Sequence, residues 1–97
     1  MLLDGIYMVI EKDDDTARVI LADSTHPIFQ AHFPSKPILP GFVHLEIVSA
    51  LFNVEIIKIK KAKFLDLVLP SQALTYSRDD NKYFVRHNGN LVASVIL

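Results

Sequence analysis

The sequence predicts an α+β fold in which one antiparallel sheet wraps around one buried helix. Two observations lead to this prediction. A single long apolar segment, residues 41–53, runs without a helix breaker, and segments rich in strand-forming residues lie on both sides of it. No repeat, linker or low-complexity segment interrupts this order, so we expect residues 1–97 to form a single domain.

The first two strands are predicted to form a hairpin. Residues 6–11 and 16–21 are apolar and rich in β-formers, and Asp13, Asp14 and Asp15 separate them. This acidic triplet lacks the glycine and the later glutamate of a calcium-binding loop. We therefore interpret the triplet as a solvated turn.

A long proline-rich loop is predicted next, over residues 23–40. Pro34, Pro37 and Pro40 recur at every third position, and each disfavours helix at the residue before it. The segment should therefore be stiff and extended. Long ordered loops in compact domains are often functional, so this loop is the first place to look for a site.

The predicted helix begins near Pro40, because proline suits a first helical turn. Glu46, Ser49 and Asn53 fall on one narrow polar stripe, at roughly 100° per residue, while nearly every other position is apolar. A helix that is apolar on most of its circumference is buried. His44 lies roughly 150–160° around the helix from Glu46, and we expect it to be structural or to lie at a subunit interface.

Four strands are predicted after the helix, and Asn88-Gly89 is a strong hairpin signal before the last of them. The start of the first strand could also belong to the helix. A sheet of this kind leaves its edges and one flank of the helix uncovered, which favours a homodimer. The predicted strands are residues 54–64, 73–79, 82–87 and 91–97, with a turn over residues 67–72.

Composition excludes several classes of function. The chain of 97 residues is 51% hydrophobic and 22% charged, which is typical of a folded globular domain. A formal net charge of −1 gives no reason to expect nucleic acid or an anionic membrane as a partner. The absence of cysteine rules out disulfides, a thiolate nucleophile and cysteine metal ligands. With no signal peptide and no apolar run of ~20 residues, we expect a cytoplasmic protein without a membrane span.

Three features with useful chemistry coincide around the start of the helix. His32 lies in the rigid loop and can exchange a proton near neutral pH. Glu46 lies in the predicted buried helix, where desolvation would raise the pKa of its carboxyl group. The helix start has no Ser, Thr, Asp or Asn as an N-cap, so the amide of Gly41 is available to a ligand oxygen. Together these groups suit proton abstraction next to a carbonyl.

The segment HFPSKPILPGFVHLE resembles the active-site segment of the β-hydroxyacyl-acyl-carrier-protein dehydratases, which have a hotdog fold. His32 and Glu46 stand fourteen residues apart, as the family pattern requires. Pro37, Pro40 and Gly41 also fall in their expected places. A weaker resemblance extends over roughly residues 16–97, and it includes the last hairpin.

The resemblance implies a mechanism and a set of site residues. His32 would take the α-proton of a 3-hydroxyacyl thioester on acyl carrier protein, and the Gly41 amide would hold the thioester oxygen. Glu46 of the neighbouring subunit would protonate the leaving hydroxyl, giving a trans-2-enoyl thioester and water in fatty acid or related lipid biosynthesis. No metal or other cofactor is implied. The residues predicted to bind the acyl chain are Phe33, Pro40, Phe42 and Leu45, although Phe33, Phe42 and Leu45 could equally belong to the core.

The chain departs from the family pattern in two respects. Ser35 and Ser71 replace glycines that are usual in the family, and serine fits poorly wherever the backbone needs a positive φ. The sequence also lacks the helix that precedes the first strand in typical members. We expect the fold to tolerate these changes, while the substrate becomes harder to define.

At this stage two other functions remain as alternatives, and the role of one surface cluster is undecided. Some hotdog proteins are thioesterases, in which a helix carboxylate activates water, and a non-catalytic acyl-binding protein is the third alternative. The carrier of the acyl group could be a protein or coenzyme A. A basic cluster could be a solvated strand edge or a docking patch for an acidic carrier protein or its pantetheine phosphate; its members are Lys58, Lys60, Lys61 and Lys63.

Overall fold

The computed structural model describes residues 3–31 and 35–97. The strands are β1 (Tyr7–Lys12), β2 (Thr16–Leu21), β3 (Lys61–Phe64), β4 (Ala73–Asp79), β5 (Lys82–His87) and β6 (Asn90–Ile96), and the helices are α1 (Pro27–Ala31) and α2 (Gly41–Phe52). The described strands form one antiparallel sheet in the order β1-β2-β4-β5-β6-β3. Helix α2 packs against this sheet, and the shorter helix α1 precedes it in the chain.

The predicted N-terminal hairpin is confirmed, since β1 pairs with β2 along its length. In the turn, the Asp13 carboxylate accepts hydrogen bonds from the backbone N–H groups of Asp15 and Thr16, at 2.9 and 2.8 Å. All three aspartates are exposed. The acidic triplet therefore serves the turn, as predicted, by supplying a local acceptor for free backbone amides.

The prediction of one irregular loop over residues 23–40 is wrong for α1. Pro27 starts this helix, and the Nδ1 atom of His26 accepts the N–H of Ile28 at 3.1 Å, which is the role of an N-cap. Ile28 and Phe29 are fully buried. Local capping together with the burial of this apolar pair stabilises one and a half turns of helix in a segment whose prolines suggested extended chain.

Helix α2 packs one face against the sheet. Its end is fixed by Asn53, which adopts the left-handed conformation with a φ of 52°. The opposite face, including Phe42 and Glu46, is exposed in the single chain. The prediction of a helix buried nearly all round thus holds for one side only. The buried face consists of Val43, His44, Ile47, Val48, Leu51 and Phe52, and it meets a core that includes Val19, Leu74, Tyr76, Val85 and Val95.

Of the four strands predicted after α2, two have the predicted bounds and two differ from them. β4 and β5 have the predicted bounds, and β6 begins one residue earlier than predicted. The predicted strand over residues 54–64 is wrong for its first part, because only Lys61–Phe64 lies opposite β6 and pairs with it. Ile57, at 85% exposure, lies outside the core. β3 is therefore a short strand at one edge of the sheet.

Ser71 tests the expected effect of a serine at a family glycine. Its φ is 65°, so the backbone does adopt the left-handed conformation that serine disfavours. We predict that Ser71→Gly raises the free energy of unfolding by about 1 kcal/mol, because relief of this strain exceeds the entropy that glycine adds to the unfolded chain. Urea denaturation measures the change.

Asn88→Gly is the matched control, because Asn88 also has a positive φ, 51°, but asparagine tolerates it in a hairpin turn. Its effect should stay within a few tenths of a kcal/mol. Equal effects of the two substitutions, or a loss of stability in Ser71→Gly, would contradict the strain at Ser71.

Candidate active site

The predicted site residues fall into two groups. His32 and Phe33 lie outside the described residues. Gly41, Phe42, Leu45 and Glu46 lie in α2, and Pro40 directly precedes it. The geometry of the described part of the site is therefore the geometry of the first two turns of α2.

The start of α2 is free of any side-chain cap, as predicted. Pro40 is the N-cap residue, with φ −61° and ψ 141°, and its side chain makes no capping hydrogen bond. The Val43 N–H donates to the Pro40 carbonyl at 3.0 Å, whereas no acceptor among the described residues engages the Gly41 N–H. As far as the described residues are concerned, the first amide of the helix is thus open to a ligand, and the helix dipole favours negative charge there.

Gly41 lines a groove whose volume is about 360 Å³. We call it the Gly41 groove. A Cβ atom at position 41 would lie 3.1 Å from the ring of Phe64, so any other residue there would require this ring to shift by a few tenths of an ångström. Its walls are largely apolar, as in most ligand sites. The lining residues are Ile38, Leu39, Pro40, Gly41, His44 and the four residues 64–67.

His44 also lines this groove, although the sequence pattern suggested only a structural or interfacial role. The side chain is 3% exposed, and its Nδ1 atom lies 2.7 Å from the hydroxyl of Tyr76. Its ring stacks on that of Phe64, with 6.3 Å between the ring centres. Burial lowers the pKa of His44 to about 4, so the imidazole is neutral at pH 7. Burial also raises the pKa of Tyr76, which keeps its hydroxyl protonated.

Glu46 lies on a different side of α2 from the Gly41 groove. It contributes to one groove with residues 3–7, Ile47 and Ala50, and to another with Leu45, Ser49 and residues 55–56. The expectation of a desolvated carboxylate is wrong for the single chain, because Glu46 is exposed. Within one chain, then, the structure brings Pro40 and Gly41 together with His44, and leaves Glu46 apart from them.

The described residues contain no cluster of histidine, aspartate and glutamate that could hold a metal ion. None of the helices formed by the described residues is long and apolar enough to cross a membrane.

Comparison with known proteins gives consistent matches. The sequence profile of the ApeI-like family, described as ApeI dehydratase, matches residues 9–93. The 3-hydroxyacyl-[acyl-carrier-protein] dehydratase FabZ of Clostridium acetobutylicum is 35% identical over 60 residues, and the match covers 48% of this chain and 43% of that protein. The chain thus spans less than half the length of this curated relative.

Two solved structures show what fold the chain shares. The dehydratase heterocomplex ApeI:P from Xenorhabdus doucetiae matches with a TM-score of 0.66 and 20% identity, covering 92% of this chain and 93% of that one. An uncharacterised protein from Erwinia carotovora subsp. atroseptica matches with a TM-score of 0.51 and 19% identity, covering 93% of this chain and 90% of that one. At these identities the likeness concerns the fold alone.

The buried, neutral His44 predicts a pH dependence of stability. The pKa of His44 is about 4 in the folded chain, against about 6.5 when the chain unfolds. Between these values only the unfolded chain takes up a proton, so the stabilisation is complete above pH ~6.5 and is lost as the pH falls towards 4. We predict a loss of roughly 3 kcal/mol in the free energy of unfolding from this residue.

Urea denaturation at several pH values between 4 and 8 measures this loss. The comparison protein is the double variant His44→Leu/Tyr76→Phe, which retains every carboxylate and replaces both members of the hydrogen-bonded pair. A difference between the two proteins that does not change with pH would contradict a neutral His44.

Proposed function

The chain belongs to the ApeI-like dehydratase family and has the hotdog fold, and on this premise we propose that it removes water from 3-hydroxyacyl thioesters of acyl carrier protein. The product would be a trans-2-enoyl thioester, in fatty acid or related lipid biosynthesis. The observation that carries the proposal is the open Gly41 amide at the start of α2, nine residues after His32, inside a largely apolar groove.

In the proposed reaction, His32 takes a proton from C2 of the substrate, and the negative charge spreads onto the thioester oxygen. The Gly41 N–H donates to that oxygen, helped by the dipole of α2. Glu46 gives a proton to the hydroxyl at C3, the C3–O bond breaks, and water leaves as the C2–C3 double bond forms. Each proton-transfer role is worth ~10²–10⁴-fold in rate.

The site we propose takes residues from two subunits. Gly41 and Glu46 are five residues apart, which places them roughly 140° apart around the helix, so they face different surroundings in one chain. Glu46 would therefore act in the groove of a neighbouring subunit. The exposed face of α2, with Phe42 at 49% exposure, and the open edge at β3 support a homodimer. Because the similar ApeI:P structure is a heterocomplex, the alternative is an assembly with a different protein subunit.

We predict that the purified protein interconverts a 3-hydroxybutyryl and a crotonyl thioester of acyl carrier protein, followed by the mass change of one water. His32→Ala and Glu46→Gln should each lower the rate by ~10²–10⁴-fold, because each removes one proton-transfer group. Light scattering of the same samples gives the size of the assembly.

Two matched variants serve as controls for this assay. Glu55→Gln removes an exposed carboxylate from a groove that Glu46 also lines, and His87→Ala removes a histidine from β5. Both should retain the wild-type rate. Release of free acid would make the protein a thioesterase, and a folded dimer without turnover would make it an acyl-binding protein; either result would overturn the proposal.

The basic cluster yields a second prediction, about the carrier. Lys61 and Lys63 point to the outer side of the sheet, since Ala62 and Phe64 between and beside them pair with the buried Val95 and Ala93 of β6. If the cluster docks an acidic carrier protein, Lys61→Glu should lower kcat/KM about tenfold for the carrier thioester and leave the N-acetylcysteamine thioester unaffected. Lys12→Glu, an exposed lysine on β1 at the opposite edge, is the control. Equal values for both lysine variants would favour a solvated strand edge.

A further inference from the structure

The hydrogen bond between His44 and Tyr76 fixes the position of the imidazole proton. Tyr76 is fully buried, and among the described residues its hydroxyl has one partner, the Nδ1 atom of His44 at 2.7 Å. If Nδ1–H donated to the phenol, the phenolic proton would have no acceptor among the core residues that the structure describes, at a cost of ~1–3 kcal/mol. The Tyr76 O–H therefore donates to Nδ1. The neutral ring then carries its proton on Nε2.

The Nε2–H group of His44 opens into the Gly41 groove. In the described part of the chain, no side-chain nitrogen or oxygen is both hidden from solvent and without a hydrogen-bond partner. Nε2 has no partner among the described residues, so it reaches solvent even though the side chain as a whole is buried. The space beside it is the groove that His44 lines together with Gly41.

His44 and Gly41 lie close together on α2. Residues three apart in a helix share one face, and a long helical side chain points back towards the N-terminus. Both residues line the groove.

We infer that the His44 Nε2–H and the Gly41 N–H together form a two-donor site for the thioester oxygen, which makes His44 a catalytic residue. This inference rests on the proposed dehydration and names a group that it uses. In the enolate-like transition state the oxygen gains charge, and preorganised donors in an apolar site stabilise such charge strongly. A neutral imidazole suits this role because it donates a hydrogen bond to the oxygen without giving up its proton.

The surroundings of the groove fit a site that binds an oxygen. Phe64, Leu65 and Leu67 supply apolar walls, which strengthen hydrogen bonds to a ligand. Among the described residues, Asp66 is the one acidic residue that lines the groove, and its Oδ1 atom accepts the N–H of Leu67 at 2.8 Å. This carboxylate is exposed, so solvent screens its repulsion of a developing negative charge.

The competing explanation is that His44 only completes a polar pair in the core, and stability separates the two. His44→Leu leaves the Tyr76 hydroxyl buried without a partner and should destabilise the fold, whereas His44→Leu/Tyr76→Phe removes both polar groups and should restore much of the stability. If His44 donates to substrate, kcat on crotonyl-N-acetylcysteamine falls ~10²–10³-fold in both variants with little change in KM. If kcat recovers with stability in the double variant, the inference is overturned.

A second measurement judges the site without turnover. In ¹⁵N spectra of the wild-type protein, the His44 signals, identified by their loss in His44→Leu, should show a protonated Nε2 and an unprotonated Nδ1. The unreactive amide analogue of crotonyl-N-acetylcysteamine should shift both the Nε2–H and the Gly41 amide protons. The opposite tautomer, or a shift at Gly41 alone, would overturn the inference.

These two measurements keep the inference and the proposed function apart. If the wild-type protein binds the amide analogue at both donors but does not interconvert the thioesters, the dehydration fails and the two-donor site stands. If the wild-type protein is active and the double variant is equally active, dehydration stands and the role of His44 fails.

Discussion

The packing of α2 against the sheet is the constraint on which the rest of the structure depends. Val43, Ile47 and Leu51 repeat at helical spacing and bury the face that meets the sheet. At about 25 cal/mol per Å² of apolar surface, this burial fixes the helix far more firmly than its uncapped first turn could. The direction of the Gly41 amide follows from it, because the amide belongs to that turn.

The sequence predicted β2 and β4 because each has one buried and one more open face. In β4, Leu74 and Tyr76 alternate with less buried residues, and this period of two defines the strand with its bounds. Residues 54–59 carry a similar alternation but pair with no strand in the described part of the chain, so the pattern alone was not sufficient. Helix α1 was not predicted because its N-cap is the side chain of His26, and histidine is not among the common N-cap residues.

The site was predicted only where local rules decide the outcome. The open amide of Gly41 followed from the absence of a capping residue, which is a property of a few adjacent positions. The position of His44 near Gly41 follows from their spacing of three residues in the helix. That spacing was the signal available in the sequence. The exposure of Glu46 could not be predicted from the helix pattern, because the apolar residues around α2 include a face that this chain leaves exposed.

The same geometry separates the groups of the proposed site by the task each can perform. A group buried in the core of one subunit bears the full desolvation penalty for charge, so His44 stays neutral and can donate only a hydrogen bond. Glu46, the proton donor of the proposed reaction, instead lies on the exposed face of α2, outside the core of its own chain. A partner subunit laid over that face would then complete the site without charging the core. In the proposed site, the fixed donors Gly41 and His44 thus belong to the fold of each chain, and the proton that Glu46 gives comes from the partner subunit.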